Sequence, residues 1–197
     1  MSRFCVDPGH GCKFFGKLPT GARGHGLVED FILFDPQDPS NGFAQRLAHI
    51  LRERGHEAIL TRGKNYVTLQ RRAQIALAQH ADALISLHCN WASSPLARGV
   101  ELYAVEGDLK GAAFANGILE SLHAKVGRRM AYRNPSVKWD TQTHVHSLYL
   151  LRHTYQTMRA VLIEIAFLTN PADAALLTDR QFRQDFCEAV ANAVTKL

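Results

Sequence analysis

At 197 residues, with 46% hydrophobic and 21% charged side chains, the chain is long enough to bury a large core in one soluble globular domain. No apolar run approaches the roughly 20 residues that span a bilayer, which excludes a transmembrane helix and stable membrane insertion. A formal net charge of +5 favours an anionic partner (nucleic acid, phospholipid headgroups or an acidic polymer) but serves equally as a solvated surface, since no basic run exceeds Arg71-Arg72 or Arg128-Arg129.

Met1 to Val6 has no apolar stretch of secretory length, so no export signal is expected. The first strand is predicted over Arg3 to Asp7. It runs into Pro8-Gly9-His10-Gly11, where Pro and Gly force a tight turn that presents the His10 imidazole. Pro36 and Pro39 break the stretch Asp35 to Ser40, so the first helix is expected only after Ser40. Ser40 or Asn41 can cap it, Phe43, Leu47, Ile50 and Leu51 fall at helical spacing, and Gly55 follows its end. A strand over Glu57 to Thr61 and a helix over Leu69 to Gln79 come next, the helix with Ala73, Ala76 and Leu77 on one face.

Ala83 to Leu87 reads as a buried strand ending in His88-Cys89-Asn90. Beyond it lie a strand over Val100 to Val105, a helix over Ala112 to Val126, strands over Ser147 to Leu151 and Ala160 to Ile165, and a last helix from Asp179 or Arg180 to Lys196. Short continuous apolar runs suit strands buried on both faces, and their alternation with helices predicts a three-layer αβα domain with a mostly parallel, about six-stranded sheet. No repeat or linker divides the chain, so residues 1–197 are expected to form a single domain. Its four cysteines (Cys5, Cys12, Cys89, Cys187) contain no Cys-x-x-Cys pair and read as reduced thiols.

The chemistry is concentrated at three strand ends. Loops after the carboxyl ends of strands form the ligand crevice of open α/β sheets, and here they carry His10, His88 and Asn90. Glu164 interrupts the apolar strand Val161 to Ile165, where a carboxylate is costly unless paired, near a metal or used for proton transfer. Singly, each residue has an ordinary structural reading. Together they argue for a metal site, since two histidines and a carboxylate are a common ligand set for catalytic zinc. A further glutamate can then move a proton to a leaving nitrogen. Cys12 and Cys89 are either soft ligands or small packing residues.

These stretches, in this order, resemble the zinc-dependent N-acetylmuramoyl-L-alanine amidases of bacteria and their phages. Asp7 to Gly11 matches the opening Asp-Pro-Gly-His-Gly, Glu29 a glutamate at the head of the first helical region, and Gly55 to Arg62 a Gly-x-x-x-x-x-Thr-Arg segment. Leu69, Arg72 and Ala76 match Leu-x-x-Arg-x-x-x-Ala. Ala81 to Asn90 matches Ala-Asp-x-x-Ile-Ser-x-His-x-Asn, Gly99 to Glu101 a Gly-Val-Glu strand, and Val161 to Asn170 a Val-Leu-x-Glu-x-x-Phe-x-x-Asn segment.

The resemblance implies one zinc ion held by His10, Glu29 and His88, with Glu164 as catalytic acid/base. The bond cut would be the amide between N-acetylmuramic acid and L-alanine of peptidoglycan. It makes peptidoglycan, and not nucleic acid, the expected partner, and a phage or prophage lysin the expected setting. Such an enzyme collects in the cytoplasm and reaches the cell wall once the membrane is breached. No separate wall-binding domain is expected. Arg72 and Asn90 are expected beside the site or on the substrate; for Arg72 the alternative is a helix-surface charge. The proline break leaves Asp30 and His25 as substitutes for Glu29. The segment Arg128 to His146 departs from the family pattern, and on a strand its His144 and His146 would share a face, lining a cleft or lying on the surface. The competing functions are a zinc peptidase and a peptidoglycan-binding module that has lost catalysis.

Overall fold

Four strands running in one direction bring their carboxyl ends to a single edge of the central sheet. They are β1 (Arg3–Pro8), β4 (Glu57–Leu60), β5 (Ala83–Asn90) and β8 (Arg159–Phe167). The sheet order is β4-β1-β5-β8-β6-β7, completed by β6 (Val100–Ala104) and β7 (Tyr132–Trp139). β6 pairs antiparallel with β8 and parallel with β7. The computed structural model describes residues 1–13 and 18–196, with the backbone alone for 134–136.

The sheet side chains alternate between two covered faces. One packs under α2 (Phe43–Glu53), α4 (Leu109–Val126) and α7 (Arg180–Val194), with Phe4, Val6, Ile85, Leu87, Val161 and Ile163 in the larger core cluster. The other carries Cys5, Leu84, Tyr103 and Leu162 beneath α3 (Leu69–Ala78) and the short α5 (Tyr149–Arg152). The three-layer αβα architecture is thus as the apolar patterning predicts. No helix among the described residues is long and apolar enough to cross a membrane.

Several elements differ from expectation. α2 starts after Gly42, whose side-chain-free cap replaces the expected Ser40 or Asn41. A helix also precedes the proline break: α1 (Glu29–Leu33) begins at Glu29 itself, behind the small hairpin β2 (Arg23–Gly24) and β3 (Leu27–Val28). Ser147 to Leu151 is not a strand. Tyr149, Leu150 and Leu151 enter α5 and Leu148 is its extended N-cap; the period of so short an apolar run does not separate strand from helix. The sixth strand is instead β7, inside the divergent segment. It lies at the sheet edge and its register against β6 is irregular, both settings in which a Pro-containing sequence (Pro135) is compatible with pairing. Finally, α6 (Pro171–Thr178) starts where Asn170 accepts hydrogen bonds from Ala172 N and Asp173 N, followed by Pro at the first helical position.

The order of connections positions the site. From β1 the chain moves to β4 on one side and then to β5 on the other, so neighbours β1 and β5 form a switch point with a crevice beyond their carboxyl ends. β8 inserts next to β5.

Candidate metal centre

On the α3 face the last residues of the strands are polar. Asp7 pairs in register with Ser86, and His88 with Glu164, which in turn lies across from Glu101. Beyond β1 the chain turns at His10, whose φ of 60° is the left-handed conformation that the flanking glycines help to accommodate. The imidazoles of His10 and His88 come edge to face with centroids 5.0 Å apart.

Glu29 closes the group from the head of α1. Its carboxylate bridges the two rings, 3.0 Å from His10 Nε2 and 3.1 Å from His88 Nδ1. It also accepts from Ala22 N at 2.7 Å and Cys89 N at 2.9 Å. Burial by itself disfavours a charge there. The hydrogen bonds from His10 and His88 outweigh it and hold the Glu29 carboxyl well below the usual range. One donor atom from each of the three residues lies within 4.8 Å of the others, a spacing that suits shared coordination of one cation. Two nitrogen donors and one carboxylate match a catalytic zinc set with room for substrate.

The backbone around this group leaves no space for larger residues. A methyl group at Gly9 would stand 2.5 Å from His88 Nε2. One at Gly21, where φ is +99°, would stand 2.7 Å from Glu29 Oε2.

Glu164 lines the same cavity of about 680 Å³ as His10, Glu29 and His88. Its Oε2 is enclosed without a hydrogen-bond partner among the described residues. Burial, reinforced by the charges of Glu29 and Glu101, pushes its carboxyl well above the ordinary value. An orphaned acidic oxygen beside three convergent donors fits a group that meets a ligand or cation rather than a structural ion pair.

A family model described as N-acetylmuramoyl-L-alanine amidase matches residues 4–196. The chain belongs to that family. LytC of Bacillus subtilis, an N-acetylmuramoyl-L-alanine amidase, is 28% identical over 94% of the chain, which spans only 33% of LytC. The endolysin of Bacillus phage SPP1 is 29% identical over 98% of the chain and 64% of its own length. Among solved structures, AmiC2 of Nostoc punctiforme superposes with a TM-score of 0.80 at 29% identity, covering 99% of this chain and 96% of that one.

In this amidase-family chain the remaining expected residues fall as follows. Asp30 and His25 do not join the three donors. Asp30 turns to Arg62 (2.8 Å) and Cys12 (3.0 Å), while His25 is exposed with Nε2 3.3 Å from Thr169 O. Both cysteines beside the histidines are buried free thiols. The Cys12 thiol is pushed up to about 11 by burial and by its hydrogen bond to Asp30, so it stays protonated. His146 occupies a turn, with Nδ1 3.1 Å from Thr141 O, whereas His144 lines the metal cavity; the shared strand face does not form. Asn90 donates to Glu101 Oε2 at 2.9 Å.

Arg72 is not a helix-surface charge. It is 1% exposed, donates to Asp7 Oδ1 at 3.0 Å and Pro8 O at 3.1 Å, and also reaches His10 O. Arg62, to which sequence reasoning gave no role, donates to Pro8 O at 2.6 Å and Gly9 O at 2.5 Å. Two guanidiniums therefore satisfy the carbonyls of Pro8, Gly9 and His10 in the turn, with Asp7 and Asp30 as their counter-ions. Burial opposes the Asp7 charge. Arg72, with hydrogen bonds from Thr61 and Ser86, prevails and keeps its carboxyl below the usual range. Glu101 was likewise missed as a hub: it accepts from Tyr103 Oη and Lys138 Nζ at 2.8 Å and pairs with Arg133 Nε at 2.5 Å. The signal for both was their place in family motifs, Thr61-Arg62 and Gly99-Val100-Glu101.

Proposed function

We propose that the protein is a zinc-dependent amidase that hydrolyses the bond between the lactyl carbonyl of N-acetylmuramic acid and the L-alanine nitrogen of peptidoglycan. The observation that carries this reading is one cavity lined by His10, Glu29, His88 and Glu164, whose Oε2 has no hydrogen-bond partner among the described residues. Likeness to LytC and AmiC2 supports the substrate class.

His10, Glu29 and His88 would hold the ion. A zinc ion there supplies Lewis acidity, polarising the amide carbonyl and making the attacking water more acidic. Glu164 takes the proton the water loses as the new C–O bond forms. It returns that proton to the alanine nitrogen as the C–N bond breaks. Arg72 and Arg62 touch no substrate in this scheme; they position His10 through its turn. Asn90, tied to Glu101, fixes the end of β5 beside His88. Residues 1–197 act together as the catalytic unit.

Digestion of purified peptidoglycan tests the assignment. Mass spectrometry should find glycan strands with free muramic acid lactyl groups and intact stem peptides. Internally cut peptides would make the protein a peptidase, and wall binding without products a recognition module. Exhaustive chelation should abolish turnover and added zinc restore it. Full activity in chelated protein with no tightly held metal would reject the zinc assignment.

The likeness to the SPP1 endolysin supports a place in phage or prophage lysis, where the enzyme waits in the cytoplasm and acts on the wall after the membrane is breached. Co-expression with a pore-forming protein in a bacterial host should produce lysis that neither gene gives alone. Rapid lysis without the pore would rule this setting out.

A further inference from the structure

Trp91 follows directly on Asn90 at the end of β5 and lines the metal cavity, yet it is 56% exposed. An indole is the largest apolar side chain, and leaving half of it in water beside a polar site gives up burial that packing would reward. The backbone that presents it is pinned on both sides. Trp91 N donates to Asn90 Oδ1 at 2.9 Å, Ala92 N to Thr169 Oγ1 at 3.2 Å, and Leu168 N to Asn90 O at 2.9 Å.

His144 lines the same cavity from the turn after β7, and that turn is anchored as firmly. Its base closes on the fully buried Asp140, which accepts from Glu106 N at 3.0 Å, Leu148 N at 3.2 Å and Arg152 Nε at 2.5 Å. Leu148 and Leu162 add apolar lining. The metal cavity therefore carries, on prepositioned backbone, a flat apolar surface and a polar ring nitrogen. A pyranose offers the complement, an apolar C–H face and a hydroxyl-bearing edge, and preorganised groups bind it without an ordering cost.

We propose that Trp91 and His144 form a saccharide subsite in the metal cavity, with the indole stacking on the sugar ring that bears the lactyl group. The identity of that sugar rests on the amidase reading. Trp91 is exposed, so its replacement leaves the core intact.

The test compares N-acetylmuramoyl-L-alanyl peptide with N-lactoyl-L-alanyl peptide, which has the same scissile bond and no ring. Trp91→Ala should raise KM for the muramoyl substrate roughly three- to tenfold at nearly unchanged kcat, the size of one aromatic contact. Trp91→Phe should recover most of that loss, and the ring-free substrate should not distinguish the variants. An unchanged KM, or an equal loss on both substrates, would overturn the subsite. A readout independent of turnover uses Trp139→Phe protein, in which Trp91 is the sole indole. Its emission should shift on titration with N-acetylmuramic acid, and no shift counts against the proposal. If the wild type cleaves neither substrate the amidase reading fails, while the emission titration still decides the subsite.

Discussion

Glu164→Gln should retain the fold and bind metal as the native protein does, yet lose activity on the order of 10²- to 10⁴-fold in kcat, the usual worth of a positioned acid/base group. The amide keeps the volume and one oxygen, but it neither accepts a proton from water nor delivers one to nitrogen. The position concentrates the effect. Glu164 sits in register between His88 and Glu101, and one of its oxygens is enclosed with no partner among the described residues. Burial and two neighbouring carboxylates favour its protonated form, which readies the carboxyl to hold a proton between the two halves of the reaction. Steady-state kinetics on a defined muropeptide, together with metal analysis, checks both halves of the expectation. Turnover within a few-fold of wild type would remove Glu164 from the mechanism.

Arg72→Met should destabilise the domain by about 3–5 kcal/mol, the cost of leaving one partner of a buried ion pair uncompensated. Both Arg72 and Asp7 are 1% exposed, so solvent cannot replace the lost guanidinium. The same change takes the guanidinium from His10 O and leaves Pro8 O to Arg62 alone, so metal affinity should fall along with stability. Asp7→Asn combined with Arg72→Met removes the stranded charge and should recover part of the loss. Urea melts of the three proteins measure this. A single variant as stable as wild type would show that the pair does not hold the turn.

The candidate site was legible in sequence where chemistry disturbs a local pattern. Glu164 breaks an apolar strand, and His10 and His88 stand at strand ends beside turn residues, so strand direction alone suggests that they converge. Glu29 was harder to place because the prolines at 36 and 39 obscure the five-residue helix that begins with it. What escaped was the support. Whether Arg72 lies on the outer or inner side of α3 depends on what covers the helix, and its neighbours Arg71 and Ala73 fit either rotation. Arg62 and Glu101 acquire meaning mainly from partners far along the chain, Pro8, Gly9 and Asp30 for the one and Lys138 and Arg133 for the other. β7 was hidden by Pro135, and Ser147 to Leu151 offered a more apolar but wrong substitute.

The placement of β8 has a bearing on how the protein comes into being. β8 comes last of the strands in the chain yet lies between β5 and β6, so it alone joins β4-β1-β5 to β6-β7 in the strand order of the described residues. The same segment delivers Glu164. A chain that ends before β8 therefore lacks both the strand that joins the two parts of the sheet and the carboxylate on which the proposed chemistry depends, so closure of the sheet and completion of the site rest on one segment.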